Sequence, residues 1–194
     1  MERHLFLTGA AGCGKTAVLR ELLGERLALA GGFVTRPVRS PSGLMQALQL
    51  LPASALGGVP GLEGHSFLSF TALGAKTDNE VYRHYGVQLL QEAVWYPYAL
   101  LDEIGGFELI IPQFRAALSA LLGQELPVIG AVMTPGEAEL FRRYLGLGER
   151  FTAQVEQLHT ALRQDPDTLV LDLEQLGGDA VRKAVREWID AYLP

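Results

Sequence analysis

Short apolar runs alternate with longer stretches of helical spacing along the 194 residues. That alternation predicts an α/β protein, a three-layer sandwich with a mainly parallel sheet and helices on both faces. Two further observations agree. The apolar runs have the length of strands, with glycine or proline close by, and the composition, 48% apolar and 20% charged, is that of a folded globular chain.

Residues 5–8 make a short apolar strand, and residues 16–30 carry helical spacing through Leu19, Leu23 and Leu27. Gly31-Gly32 is expected to break that helix. Residues 33–38 read as a strand ended by Pro37 and the turn signal Ser40-Pro41-Ser42-Gly43, with residues 45–51 as its hairpin partner. Residues 52–64, rich in Gly, Pro, Ala and Leu without clear period, read as a loop, and residues 65–71 as one more strand. Residues 81–95 look helical, and Pro97 stops the pattern.

Residues 99–101 form a short apolar strand that ends on Asp102-Glu103. Residues 107–122 are helical in spacing, with Pro112 either starting the helix or kinking it. Residues 128–133 have the length of a buried strand. Thr134 then caps a helix that has Pro135 at its first position and Glu137 at its third. A helix over 151–163, a strand over 169–173 and a helix over 179–192 complete one domain expected to span residues 1–194.

The net charge of −6 gives no long-range attraction to a nucleic-acid backbone or an anionic membrane, so both are disfavoured as main partners, while a protein partner stays open. The single cysteine, Cys13, rules out an intramolecular disulfide or a cysteine-rich metal site. No secretory apolar region precedes the first strand pattern, and no run of about 18 apolar residues occurs. A soluble, cytoplasmic protein is the expectation.

The chemistry lies in Gly9-Ala10-Ala11-Gly12-Cys13-Gly14-Lys15-Thr16, which fits G-x-x-x-x-G-K-[ST] at every position. Glycines let the backbone fold into a nest whose N–H groups converge on phosphate oxygens. Lys15 brings a point charge to the β- and γ-phosphates, and the Thr16 hydroxyl is placed to ligate Mg²⁺. The following helix directs its positive end at the anion. The strand before and the helix after are the context this P-loop requires, and Lys15 is one of only three lysines. Cys13 reads as a small loop residue.

Mg²⁺ also needs a carboxylate, and Asp102 at the end of its apolar strand is the candidate. Glu103, expected on the other side of the strand, is placed to orient or deprotonate the attacking water. Lys15 and Glu103 are thus the expected catalytic pair, and Thr16 and Asp102 the expected metal ligands.

Taken together, residues 9–16, then Gly32-Phe33-Val34-Thr35 with Val38-Arg39, then Leu101-Asp102-Glu103-Ile104-Gly105 with Glu108-Leu109, resemble the THEP-type nucleoside-triphosphatases. The resemblance runs from residue 1 to about 133. It implies a P-loop NTPase sandwich in which the carboxylate strand lies beside the P-loop strand. It also implies Mg²⁺-dependent hydrolysis of nucleoside triphosphates (ATP, GTP or others) to diphosphate and phosphate with loose base selectivity. The chain departs from the family pattern at Gly106-Phe107, where Lys-Met is usual, at Arg36, where an acid is usual, and at Ser42-Gly43-Leu44, where Arg-x-Gly-Phe is usual.

Arg39 survives from the family pattern and is the arginine proposed to reach phosphate. Arg142-Arg143 reads as a surface pair whose members cannot share one helix face, and Glu108 as a residue favouring the start of the following helix. His4, His65, His84 and His159 have no ligand spacing, and Tyr82, Tyr85, Trp95, Tyr96 and Tyr98 read as core packing. Two other functions fit the same motifs. One is a P-loop kinase acting on a small acceptor, disfavoured because residues 52–77 contain no lid arginine. The other is a nucleotide-binding regulatory module with negligible turnover of its own.

Overall fold

The computed structural model describes residues 2–72 and 74–193; Met1, Leu73 and Pro194 lie outside the described residues. The elements are β1 (His4–Thr8), α1 (Lys15–Leu23), β2 (Ala30–Arg39), β3 (Met45–Pro52), β4 (His65–Thr71), β5 (Gly74–Thr77), α2 (Val87–Glu92), β6 (Tyr98–Ile104) and α3 (Pro112–Leu122). They continue with β7 (Val128–Val132), α4 (Pro135–Leu145), α5 (Glu149–Gln164), β8 (Thr168–Asp172), α6 (Leu173–Leu176) and α7 (Gly178–Tyr192).

Among the described residues, eight strands form one sheet in the order β5-β4-β3-β2-β6-β7-β1-β8. The pairs β2–β6, β6–β7, β7–β1 and β1–β8 are parallel, and β3, β4 and β5 extend the sheet as an antiparallel meander. This corrects one expectation: the carboxylate strand β6 is not beside the P-loop strand β1, because β7 lies between them. Two strand spacings, about 10 Å, separate β6 from β1, a gap that long side chains at the strand ends can close.

Alternation along each strand builds the layers. Leu5 and Leu7 of β1, Leu100 of β6, and Ile129 and Ala131 of β7 face α1 and α7, packing on Val18, Leu19, Val181, Val185 and Trp188. Phe6, Leu101, Val128 and Val132 point the other way, into a core with Leu90 of α2 and Phe114 and Leu118 of α3. Helices therefore cover both faces, and the three-layer α/β fold class holds. A smaller cluster around Leu109, Ala138, Phe151 and Val155 joins α4 to α5.

Several elements differ from the sequence reading. The first helix gives way to 3-10 turns over Gly24–Leu29, and Gly31 and Gly32 sit inside β2 instead of ending a helix. Close packing explains both glycines: a Cβ on Gly31 would lie 2.7 Å from Ala93 Cα, and one on Gly32 2.4 Å from the Leu100 carbonyl oxygen. Residues 53–57 form a 3-10 turn within the expected loop, and β5 and α6 are additional elements. The helix over 81–95 is continuous but begins with a π-turn at Val81–Gly86, where a Cβ on Gly86 would press on Tyr82 and Phe114. Pro112 opens α3, the first of its two readings, and the capping box at Thr134 and Glu137 forms as the spacing predicts. Tyr82 and Tyr98 are core residues, Tyr85 rests half-buried on His65, and Trp95 is 78% exposed with Tyr96 beside it on the surface. No helix of the described residues is long and apolar enough to cross a membrane.

Candidate active site

β1 delivers the chain at Thr8 into the loop of residues 9–16, and α1 carries it away. The loop turns through positive φ at Gly9, Gly12 and Gly14. Gly14, at φ 103°, is the residue from which α1 begins, a conformation that a Cβ would strain. Ala10 and Ala11 lie exposed, and Cys13 folds back so that its backbone N–H donates to the Ala10 carbonyl at 3.0 Å. Its thiol sits 2.9 Å from where a Cβ on Gly9 would be. That close approach excludes a side chain at position 9.

Lys15 is only 6% exposed. Its ammonium donates to the Gly9 carbonyl at 2.6 Å and the Ala10 carbonyl at 3.4 Å. Glu103 Oε1 lies 3.4 Å away and Glu137 Oε2 3.8 Å away. The Glu103 contact is an ion pair whose geometry falls short of a hydrogen bond, since Oε1 has no hydrogen-bond partner. One cation thus holds two carboxylates from β6 and α4 at the mouth of the loop.

Asp102 is buried, and its Oδ1 is left without a hydrogen-bond partner. Burial raises its pKa, and Thr16, Lys15 and Arg20 pull it part of the way back. Burial also pushes Glu103 up to about 7; Lys15 opposes the rise, and the neighbouring charges of Glu137 and Asp102 add to it. Glu103 does not point away from Asp102, as strict alternation would require. The β6–β7 ladder breaks between Leu101 and Ile104, and both carboxylates lie within electrostatic reach of Lys15.

Two residues gain a place that their sequence reading missed. Glu137 accepts from the Thr134 backbone N–H at 3.0 Å in the capping box and reaches Lys15 with the same oxygen. The signal was present in Thr134-Pro135-Gly136-Glu137, but only the strand order puts α4 next to the loop. Glu108 does not serve α3. Its Oε1 accepts from the N–H groups of Gly105 at 2.6 Å and Gly106 at 2.9 Å, bracing the turn that follows the two carboxylates.

Arg39 is not brought to the loop. Val34 is the last β2 residue paired with β6, opposite Asp102, and Arg39 lies five residues further along the hairpin, donating to the Gly43 carbonyl at 3.0 Å. Arg36 is exposed and 3.4 Å from Gln49 Oε1. Arg142 and Arg143 do converge, both on Glu139, because i,i+3 and i,i+4 spacings meet on one side of a helix.

A glycine-nested loop between β1 and α1, with a buried lysine facing acidic groups from β6 and α4, defines a P-loop nucleotide-binding protein of the α/β class. A family model described as NTPase matches residues 4–165, so the chain belongs to that NTPase family. A search of curated proteins finds no match. Among solved structures, the crystal structure of THEP1 from the hyperthermophile Aquifex aeolicus shares the fold, with a TM-score of 0.65 over 98% of this chain and 99% of that one at 16% identity. The THEP-type resemblance read from the sequence is borne out by both.

Proposed function

We propose that the chain is a Mg²⁺-dependent nucleoside-triphosphatase that converts a nucleoside triphosphate to diphosphate and phosphate. One observation carries the reading: a buried P-loop lysine stands between Glu103 and Glu137, close enough to the buried Asp102 to favour its charged form. Binding a polyphosphate brings phosphate oxygens to the Lys15 ammonium, a charge-assisted contact. Water forms a bond to the γ-phosphorus as the bond to the β–γ bridging oxygen breaks, and the Glu103 carboxylate takes the water's proton.

The residues fit Mg²⁺. Asp102 Oδ1 is a buried oxygen without a partner, and Thr16 is near enough to the same carboxyl to favour its charged form. The described residues contain no group of three or more His, Cys, Asp or Glu able to hold a metal alone. Mg²⁺ suits such a site, because it takes one or two protein oxygens and completes its shell with phosphate and water. When bound, it would neutralise charge on the phosphate oxygens. Loose base selectivity is part of this proposal and rests on the family resemblance.

The test is phosphate release from ATP, GTP, CTP and UTP with and without Mg²⁺, for wild type, Lys15→Ala and Glu103→Gln. Turnover of several triphosphates is expected, with Lys15→Ala losing binding. Glu103→Gln is expected to bind normally while hydrolysis falls by about 10²- to 10⁴-fold. Binding without phosphate release in wild type would overturn hydrolysis. Diphosphate formed only with an added acceptor would indicate a kinase instead.

A further inference from the structure

The peptide that joins Gly9 to Ala10 is held from both sides. Its carbonyl, on Gly9, accepts from the Lys15 ammonium at 2.6 Å. Its N–H, on Ala10, donates to Glu174 Oε2 at 3.1 Å. A trans peptide directs its C=O and N–H in opposite senses, so Glu174 fixes the orientation of the carbonyl that positions the lysine.

Glu174 lies on α6, and that short helix is itself fixed. Asp172 Oδ1, at the end of β8, accepts from the backbone N–H groups of Glu174 at 2.9 Å and Gln175 at 3.2 Å. Leu173 is buried against the same region: a Cβ on Gly9 would meet Leu173 Cβ at 3.6 Å and Glu174 Cγ at 3.8 Å. β8 is the neighbour of β1, with Asp172 opposite Thr8, so α6 starts level with the start of the loop. The matched family region ends at residue 165, so this support comes from a part of the chain beyond it.

We propose that Glu174 is a positioning residue for nucleotide binding, clamping the Gly9–Ala10 peptide so that the loop meets the phosphates already shaped. The proposal rests on the triphosphate-binding reading above. Without the clamp, the first peptide of the loop is held from the Lys15 side alone, and binding must then order the freedom it gains. Glu174 contacts neither the attacking water nor the phosphate in this role, so the chemical step is untouched.

The experiment measures Kd for a fluorescent triphosphate analogue, and KM and kcat for phosphate release, in wild type, Glu174→Ala and Glu174→Gln. Glu174→Ala is expected to raise Kd and KM by about 3- to 10-fold, the effect of losing one solvent-exposed hydrogen bond, with kcat unchanged. Glu174→Gln, whose amide oxygen still accepts from Ala10, is expected to recover most of that loss. Equal Kd in all three proteins would overturn the clamp. A Kd that falls in both variants would also overturn it, showing that the carboxylate acts only by repelling phosphate. If wild type binds the analogue but releases no phosphate, hydrolysis fails as a reading while the Kd comparison still decides the clamp.

Discussion

Glu108 offers a sharp test of how burial competes with hydrogen bonding behind the site. Its carboxyl is 3% exposed and receives N–H groups from Gly105 and Gly106. Those bonds, with one from its own backbone, favour the charged form, yet burial outweighs them and pushes the pKa up to about 7 from 4.5. A group whose pKa is higher folded than unfolded makes its full contribution to stability below the unfolded value. The contribution is lost as pH rises through the folded value. The loss between pH 4.5 and pH 8 is about 3 kcal/mol at 1.36 kcal/mol per pKa unit. Glu108→Gln keeps an acceptor oxygen for both glycines and removes the titration. Relative to wild type, the variant should therefore gain about 3 kcal/mol across that interval, or roughly 6–12 °C in midpoint for a chain of this size. Urea unfolding of nucleotide-free protein at pH 5, 6, 7 and 8 measures the difference. Glu103, also pushed up to about 7, is present in both proteins and cancels. A difference that stays constant with pH would refute the reasoning and show that the backbone N–H groups hold Glu108 ionised throughout.

Other perturbations are worked from packing and capping. Gly130→Ala would place a Cβ 2.2 Å from the Leu101 carbonyl oxygen, between two central strands that cannot separate cheaply; urea unfolding should show a loss of at least about 3 kcal/mol. Trp188→Ala empties a fully buried site under α7 and frees the Arg3 carbonyl that its indole N–H reaches, and calorimetry should report a loss of about 3–5 kcal/mol. Thr134→Ala removes half of the α4 capping box and should cost about 1 kcal/mol in thermal unfolding. Because Glu137 loses one of the two Thr134 contacts that hold it beside Lys15, the same variant should also bind nucleotide with altered affinity in a titration.

The loop of residues 9–16 was legible because its function constrains the backbone locally: the glycines that take positive φ and the lysine that follows are adjacent in sequence. The strands of the parallel core were legible because burial on both faces leaves their centres uniformly apolar, as at Leu5, Phe6 and Leu7 of β1 and throughout β7. Asp102 and Glu103 were legible as an acidic pair on an apolar strand. What they face was not, since that depends on a ladder interruption and on β7 standing between β6 and β1. The sequence by itself determined the α/β class, the phosphate loop and the acidic strand, each a short-range pattern of residue type and spacing. Only the tertiary structure decided that Glu137 meets Lys15, that Glu174 holds Ala10 from 164 residues away, that Arg39 stays on its hairpin, and that Gly31 and Gly32 serve close packing. Those outcomes depend on strand order and on the distance between backbones that meet only after folding, and no local pattern of side chains encodes either.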